Sequence, residues 1–167
     1  MPRSSMVESA RIQTERAYLE SRDDVYYYLL RLGLPPGEAQ ETVQEVFLRL
    51  FKVLGEGQDI ENPRAWAFRV AHNLGLNTRA RERRMAPLAV DLREDHRSPE
   101  RELLESERQE RMARAVAELS PQQRQCLHLR AEGLRYHEIA ATLGVSVSTV
   151  NEFVRRAVRN LRKVVHA

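Results

Sequence analysis

Seven side chains near the C-terminus have the types and spacing to read duplex DNA: Ser148, Thr149, Asn151, Glu152, Arg155, Arg156 and Arg159. Asparagine pairs bidentately with adenine, arginine with guanine, and glutamate accepts from cytosine. Asn151, Glu152 and Arg155 are therefore the base-reading candidates. Arg156 and Arg159 suit phosphates, and Ser148 and Thr149 open the same face. On a helix this set lies to one side, while Val147, Val150, Val154, Ala157, Val158, Leu161 and Val165 form an apolar stripe expected to be buried on the other.

Two further groups stand in the N-terminal half. Trp66, Phe68 and Val70 alternate with Arg64, Arg69, Asn73, Asn77, Arg79, Arg81, Arg83 and Arg84. Aromatics beside Arg and Asn suit stacking on unpaired bases and holding their backbone; Trp66 and Phe68 serve equally well as core. Upstream, Leu48 lies off an apolar stripe and is surrounded by Glu41, Gln44, Glu45 and Lys52. An apolar residue ringed by polar ones fits a small protein-docking patch or an ordinary lone surface leucine.

The elements that must position these groups read as helices throughout, with Gly and Pro at boundaries. One is expected over Thr14–Leu32, ended by Gly33-Leu34-Pro35-Pro36-Gly37. A second spans Glu38–Leu54 with Ala39, Val43, Val46, Phe47, Leu50, Val53 and Leu54 facing inward, and Gly55-Glu56-Gly57 ends it. Asn62-Pro63 reads as an N-cap and first turn, opening a third helix to about Arg84. Residues 85–104 have Pro at 87 and 99 and no period, the mark of a linker. Beyond it, a helix over Glu107–Leu119 is followed by Ser120-Pro121-Gln122-Gln123, a capping box by type. Ile139, Ala140 and Leu143 suit a supporting helix, and Gly144 a sharp turn before the reading helix. The expectation is an all-α chain of two small helical domains, 1–84 and 105–167, joined by the linker, the second a helix-turn-helix.

Composition agrees with two helical modules that meet phosphate. The 167 residues are 42% hydrophobic and 31% charged, with a net charge of only +3. The charge is uneven: residues 62–84 hold six Arg and one Glu, and residues 144–167 hold four Arg, one Lys and one Glu. The single cysteine, Cys126, excludes an intrachain disulfide and reads as core. His72, His96, His128, His137 and His166 are scattered without metal-ligand spacing, and no Gly-rich phosphate loop is present. Neither cofactor, metal nor enzyme activity is expected. No apolar run approaches the ~20 residues of a membrane span, and Met1–Ser9 shows no apolar signal core. The expectation is a cytoplasmic protein without membrane insertion.

Val43-Gln44-Glu45-Val46-Phe47-Leu48-Arg49-Leu50, then Asn62-Pro63-Arg64-Ala65-Trp66-Ala67-Phe68-Arg69-Val70-Ala71-His72-Asn73 and an Arg-rich tail, resemble region two of bacterial extracytoplasmic-function sigma factors. Glu138-Ile139-Ala140 and Val145-Ser146-Val147-Ser148-Thr149-Val150 resemble region four of the same family. The resemblance implies a protein that binds core RNA polymerase and directs it to promoters. Glu41, Gln44, Glu45 and Leu48 would dock on the polymerase. The loop before Asn62, with Asn62, Arg64, Trp66, Arg69, Asn73, Asn77, Arg81 and Arg84, would hold and open the minus-ten element. Ser148 to Arg159 would read the minus-thirty-five element as duplex, and an anti-sigma factor is a further implied partner. The chain departs from the family pattern with Gln40 and Thr42 before Val43-Gln44-Glu45, with Asn77 in place of an acid, and with Asn151 where a basic residue is common. Two other readings compete: a helix-turn-helix regulator acting without being a polymerase subunit, and an antagonist that binds polymerase or a sigma factor without reading DNA.

Overall fold

The computed structural model describes residues 2–85 and 103–166, and every element in them is helical. The linker expected over 85–104 falls, apart from its end residues, outside the described residues. The helices are α1 (Pro2–Leu32), α2 (Pro36–Gly55), α3 (Pro63–Met85), α4 (Leu103–Ala117), α5 (Pro121–Ala131), α6 (Tyr136–Leu143) and α7 (Val147–Val165). Among the described residues they fall into two compact units, α1 to α3 and α4 to α7.

In the first unit α1, α2 and α3 all pack on one another. Val25, Tyr28, Leu29 and Leu32 of α1 recur at helical spacing and are buried. They meet Val43, Val46, Phe47, Leu50 and Leu54 of α2 and Ala67, Phe68 and Ala71 of α3. The stripe expected on α2 is there, with Val53 half-buried and Thr42 added to it. The Thr42 hydroxyl is satisfied by donating to the Glu38 carbonyl at 2.7 Å. Phe68 is fully buried, so of the two aromatics on α3 it is the one that belongs to the core. Its ring stands edge-on to Tyr28, with centroids 5.6 Å apart.

The first helix corrects the expected start: it begins at Pro2, not near Thr14. Residues before Thr14 carry no regular apolar period, but they carry local pairs. Arg11 reaches Glu8 at 2.7 Å and Glu15 at 3.2 Å, and Gln13 reaches Ser9 at 3.1 Å. Such i,i+3 and i,i+4 pairs support a helix without an apolar face.

In the second unit α7 packs on α4, α5 and α6, and α5 on α6. The capping box forms as its sequence predicts: Ser120 Oγ accepts from Gln123 N at 3.2 Å, and Gln123 Oε1 accepts from Ser120 N at 3.3 Å. The core holds Ala115, Leu119, Cys126, Leu129, Leu134, Ile139, Ala140, Val150 and Ala157. Burial pushes the Cys126 thiol up to about 11, so it is an inert apolar group at neutral pH. The stripe expected on α7 is only partly buried. Val150 and Ala157 are fully enclosed, Val154, Val158 and Leu161 are half-buried, and Val147 and Val165, at the two ends, are exposed.

One buried polar pair ties α1 to α3. The Tyr28 hydroxyl and His72 Nδ1 are 2.7 Å apart, both residues nearly inaccessible. Burial lowers His72 to about 4 and raises Tyr28 above its ordinary value, so both partners of the pair are neutral. Between about 6.5, the unperturbed value, and about 4, the unfolded chain binds the proton that the folded chain refuses. Acidification through that window should therefore destabilise the first unit, this group contributing at most about 1.4 kcal/mol per pH unit. His72→Gln is expected to flatten the fall of melting temperature between pH 6.5 and 4 relative to the parent; parallel profiles would remove His72 from the account.

Candidate nucleic-acid interface

The reading helix is placed by the turn before it. Gly144 ends α6 with a left-handed φ of +67°, and its N–H donates to the Ala140 carbonyl. Ser146 then caps α7, its hydroxyl accepting from Thr149 N at 3.1 Å. Thr149 is drawn into this cap, its hydroxyl 2.8 Å from that of Ser146, and is half-buried. With Val150 and Ala157 turned into the core, Ser148, Asn151, Glu152, Arg155, Arg156 and Arg159 all face outward and are exposed. Glu152 and Arg156 are joined as an ion pair one turn apart. Glu152 must leave that pair, or share it, to accept from a base.

The outward face continues further than the sequence reading took it. Arg155, Arg159, Arg162, Lys163 and His166, with Val154 and Val158, line one shallow groove along the second half of α7. Steps of four, three and four put Arg155, Arg159, Arg162 and His166 in line with Ser148 and Glu152. Among the described residues no carboxylate pairs with these arginines. Arg162 and Lys163 were legible as late basic residues on the same helix, but the contact set was drawn only as far as Arg159.

In the first unit, Asn62 stands at the start of α3, its Oδ1 accepting from Ala65 N at 3.2 Å. Trp66, Arg69, Asn73, Asn77 and Arg81 then recur at steps of three and four along one side of the helix. Arg69, Asn73, Asn77 and Arg81 are exposed, and Trp66 is half-buried, with part of its ring at the surface. Leu76, 39% exposed, interrupts the same row. Arg84 belongs to α3, but its side chain is outside the described residues. Arg64 does not join the row. It turns toward α1, bonds Asp24 at 2.9 Å and Ser21 at 3.4 Å, and lies 5.1 Å over the Phe68 ring.

On α2, Glu41, Gln44, Glu45 and Leu48 share an exposed face. Leu48 is 64% exposed, and one turn on lies Phe51 at 38%, which the sequence reading passed over. Two neighbouring apolar side chains make a patch where one does not. Arg49 holds Glu45 at 2.7 Å beside it. Among the described residues no His, Cys, Asp or Glu side chains cluster as a metal site, and no helix is long and apolar enough to cross a membrane.

Comparison with known proteins matches both units in order. Residues 17–85 match the Sigma-70 region 2 family, and residues 109–161 match Sigma-70, region 4. The chain is 29% identical over 155 residues to the ECF RNA polymerase sigma factor SigK of Mycolicibacterium vanbaalenii, covering 87% of this chain and 78% of that one. It is 31% identical over 158 residues to the ECF sigma factor BldN of Streptomyces coelicolor, covering 89% of this chain and 59% of that one. The fold is similar to that of RpoE of Bartonella quintana, solved with the anti-sigma factor NepR, with TM-score 0.69, 20% identity, and coverage of 92% and 96%.

The two halves of α7 should respond differently to truncation. Arg155→Ala is expected to cost ~1–3 kcal/mol and relax one base position, whereas Arg162→Ala should weaken all duplexes alike and lower the slope of log affinity against log salt by about one. Binding titrations of matched and scrambled duplexes over a salt series separate the two; identical behaviour of both variants would contradict the division.

Proposed function

The chain belongs to the extracytoplasmic-function sigma factors, and we propose that its two units hold opposite ends of one promoter while both ride on core RNA polymerase. It binds core polymerase and directs promoter recognition and transcription initiation, as its family does. The observation that carries this is the order of the two matches, region 2 then region 4, each on a unit with an exposed row that includes Arg and Asn side chains.

In this reading residues 1–84 serve polymerase and the minus-ten element, 85–104 join the units, and 105–167 serve the minus-thirty-five element. Ser148, Asn151, Glu152 and Arg155 face base edges in the major groove. Arg156, Arg159, Arg162 and Lys163 meet phosphates, and Thr149 fixes the helix start. Asn62, Trp66, Arg69, Asn73, Asn77, Arg81 and Arg84 hold the opened strand. Arg64 keeps α3 in register with α1 through Asp24. Opening the duplex sacrifices about 1.4 kcal/mol of stacking per step, and base–aromatic stacking returns about 1–3 kcal/mol per base. Trp66 is placed to supply one such contact.

Neither unit needs high affinity alone. Once one is engaged, the second contact is intramolecular and its effective concentration rises. The polymerase supplies the chemistry, and no reaction is assigned to this chain. Its place of action is the cytoplasm, with the transcribed chromosome. A partner of anti-sigma type, such as RpoE has in its solved complex, belongs to the same proposal.

Leu48 and Phe51 form the apolar centre of the polymerase-facing patch. Leu48→Asp is expected to weaken binding to core polymerase at least about tenfold, since truncating a central interface residue costs more than 1 kcal/mol and the buried carboxylate adds to it. Helicity should be unchanged, because the residue is exposed. Core affinity equal to that of the parent, measured by fluorescence anisotropy, would sink the docking assignment.

A further inference from the structure

The region 2 match begins at residue 17, yet α1 begins at Pro2. The intervening arm is a packed part of the first unit. Ala10, in the arm, is 1% exposed, and Ala17, the first matched residue, 5%. Arg11, held between Glu8 and Glu15, and Arg16, on Glu20 at 3.1 Å, keep the outer side helical.

The position of the arm follows from length. α1 and α2 form a hairpin across the turn at Gly33, so the start of α1 lies toward the end of α2. α1 has 31 residues and α2 has 20, a surplus of 31 − 20 = 11. At ~1.5 Å per residue that surplus reaches about 16 Å beyond α2. It runs alongside the connection between α2 and α3.

There the two meet. Gly57 closes α2 with a φ of +85°, its N–H on the Leu54 carbonyl at 3.1 Å, and Gln58 N follows on Val53 at 3.2 Å. A Cβ built on Gly57 would lie 2.9 Å from the terminal methyl of Met6. Met6 therefore rests on the first turn of a connection whose next residues, Gln58, Asp59, Glu61 and Asn62, are exposed.

We propose that the arm of α1 is a buttress for the 56–62 loop, with Met6 a positioning residue for promoter opening. The inference rests on the reading that this loop and α3 hold the opened minus-ten strand. A loop between two helices must be ordered to grip an unstacked base, and ordering at the moment of binding opposes affinity. An arm that seats the loop's first turn beforehand removes part of that opposition, without touching DNA.

The test uses holoenzyme reconstituted from core polymerase and full-length chain. The probe is a labelled single-stranded oligonucleotide carrying the minus-ten element found by start-site mapping. Met6→Ala is expected to weaken oligonucleotide binding about three- to tenfold, the scale of one ordered side chain. It should also slow permanganate-detected opening of duplex promoter, while affinities for core polymerase and for a minus-thirty-five duplex stay at parent values. Ile12→Ala, on the same arm and 54% exposed, should change nothing. Parent-like oligonucleotide binding by Met6→Ala overturns the buttress, as does an equal loss of core affinity, which would mark general loosening of the unit. Failure of the parent holoenzyme to bind the oligonucleotide overturns the minus-ten reading itself.

Discussion

Rolling α7 by one residue, about 100° around its axis, would carry Asn151 or Glu152 toward the apolar seam and leave Val150 in water. The full burial of Val150 and Ala157 forbids that roll. The same constraint operates on α3, where Ala67, Phe68 and Ala71 fill the core and the row from Asn62 to Arg81 is left outside. Each surface proposed to face DNA is thus the complement of a buried stripe. Its aim depends on packing with no direct part in recognition.

Polar contacts refine that aim. On α3 the buried Tyr28–His72 pair and the Arg64–Asp24 contact fix both rotation and register against α1. A buried hydrogen bond left unmade costs more than a made one contributes, so a slipped register would strand His72. On α7 the Ser146 cap fixes where the helix begins, and therefore which residues lead its exposed face. In the proposed reading, the lengthened basic face adds affinity blind to sequence. In a protein delivered to DNA by a larger machine, such affinity complements specificity supplied by two separated elements.

Much of this was legible in the sequence because the signals are local. Ser120-Pro121-Gln122-Gln123 and Asn62-Pro63 are helix starts by residue type alone, and both form. The period of α2 gave its buried face, missing only Thr42, whose hydroxyl is satisfied within its own helix. What escaped was tertiary or pattern-free. The arm of α1 is held by ion pairs and one buried alanine, Ala10, which raise no apolar period. Val147 and Val165 fit the stripe of α7 by spacing but are exposed. Arg64 looked like its neighbours on an Arg-rich helix, and only the fold brings Asp24, forty residues earlier, to its guanidinium. The patch around Leu48 was visible as one residue; Phe51 completes it because α2 turns both outward.

The central claim is simultaneous engagement of two promoter elements by two helical units on one polymerase. Sequencing transcripts made by core polymerase and this chain from a randomised template library tests it most directly. The account requires start sites preceded by two distinct sequence elements at a fixed separation, with neither element sufficient alone. Transcripts sharing one element, or none, in the absence of any inhibitory partner would contradict it.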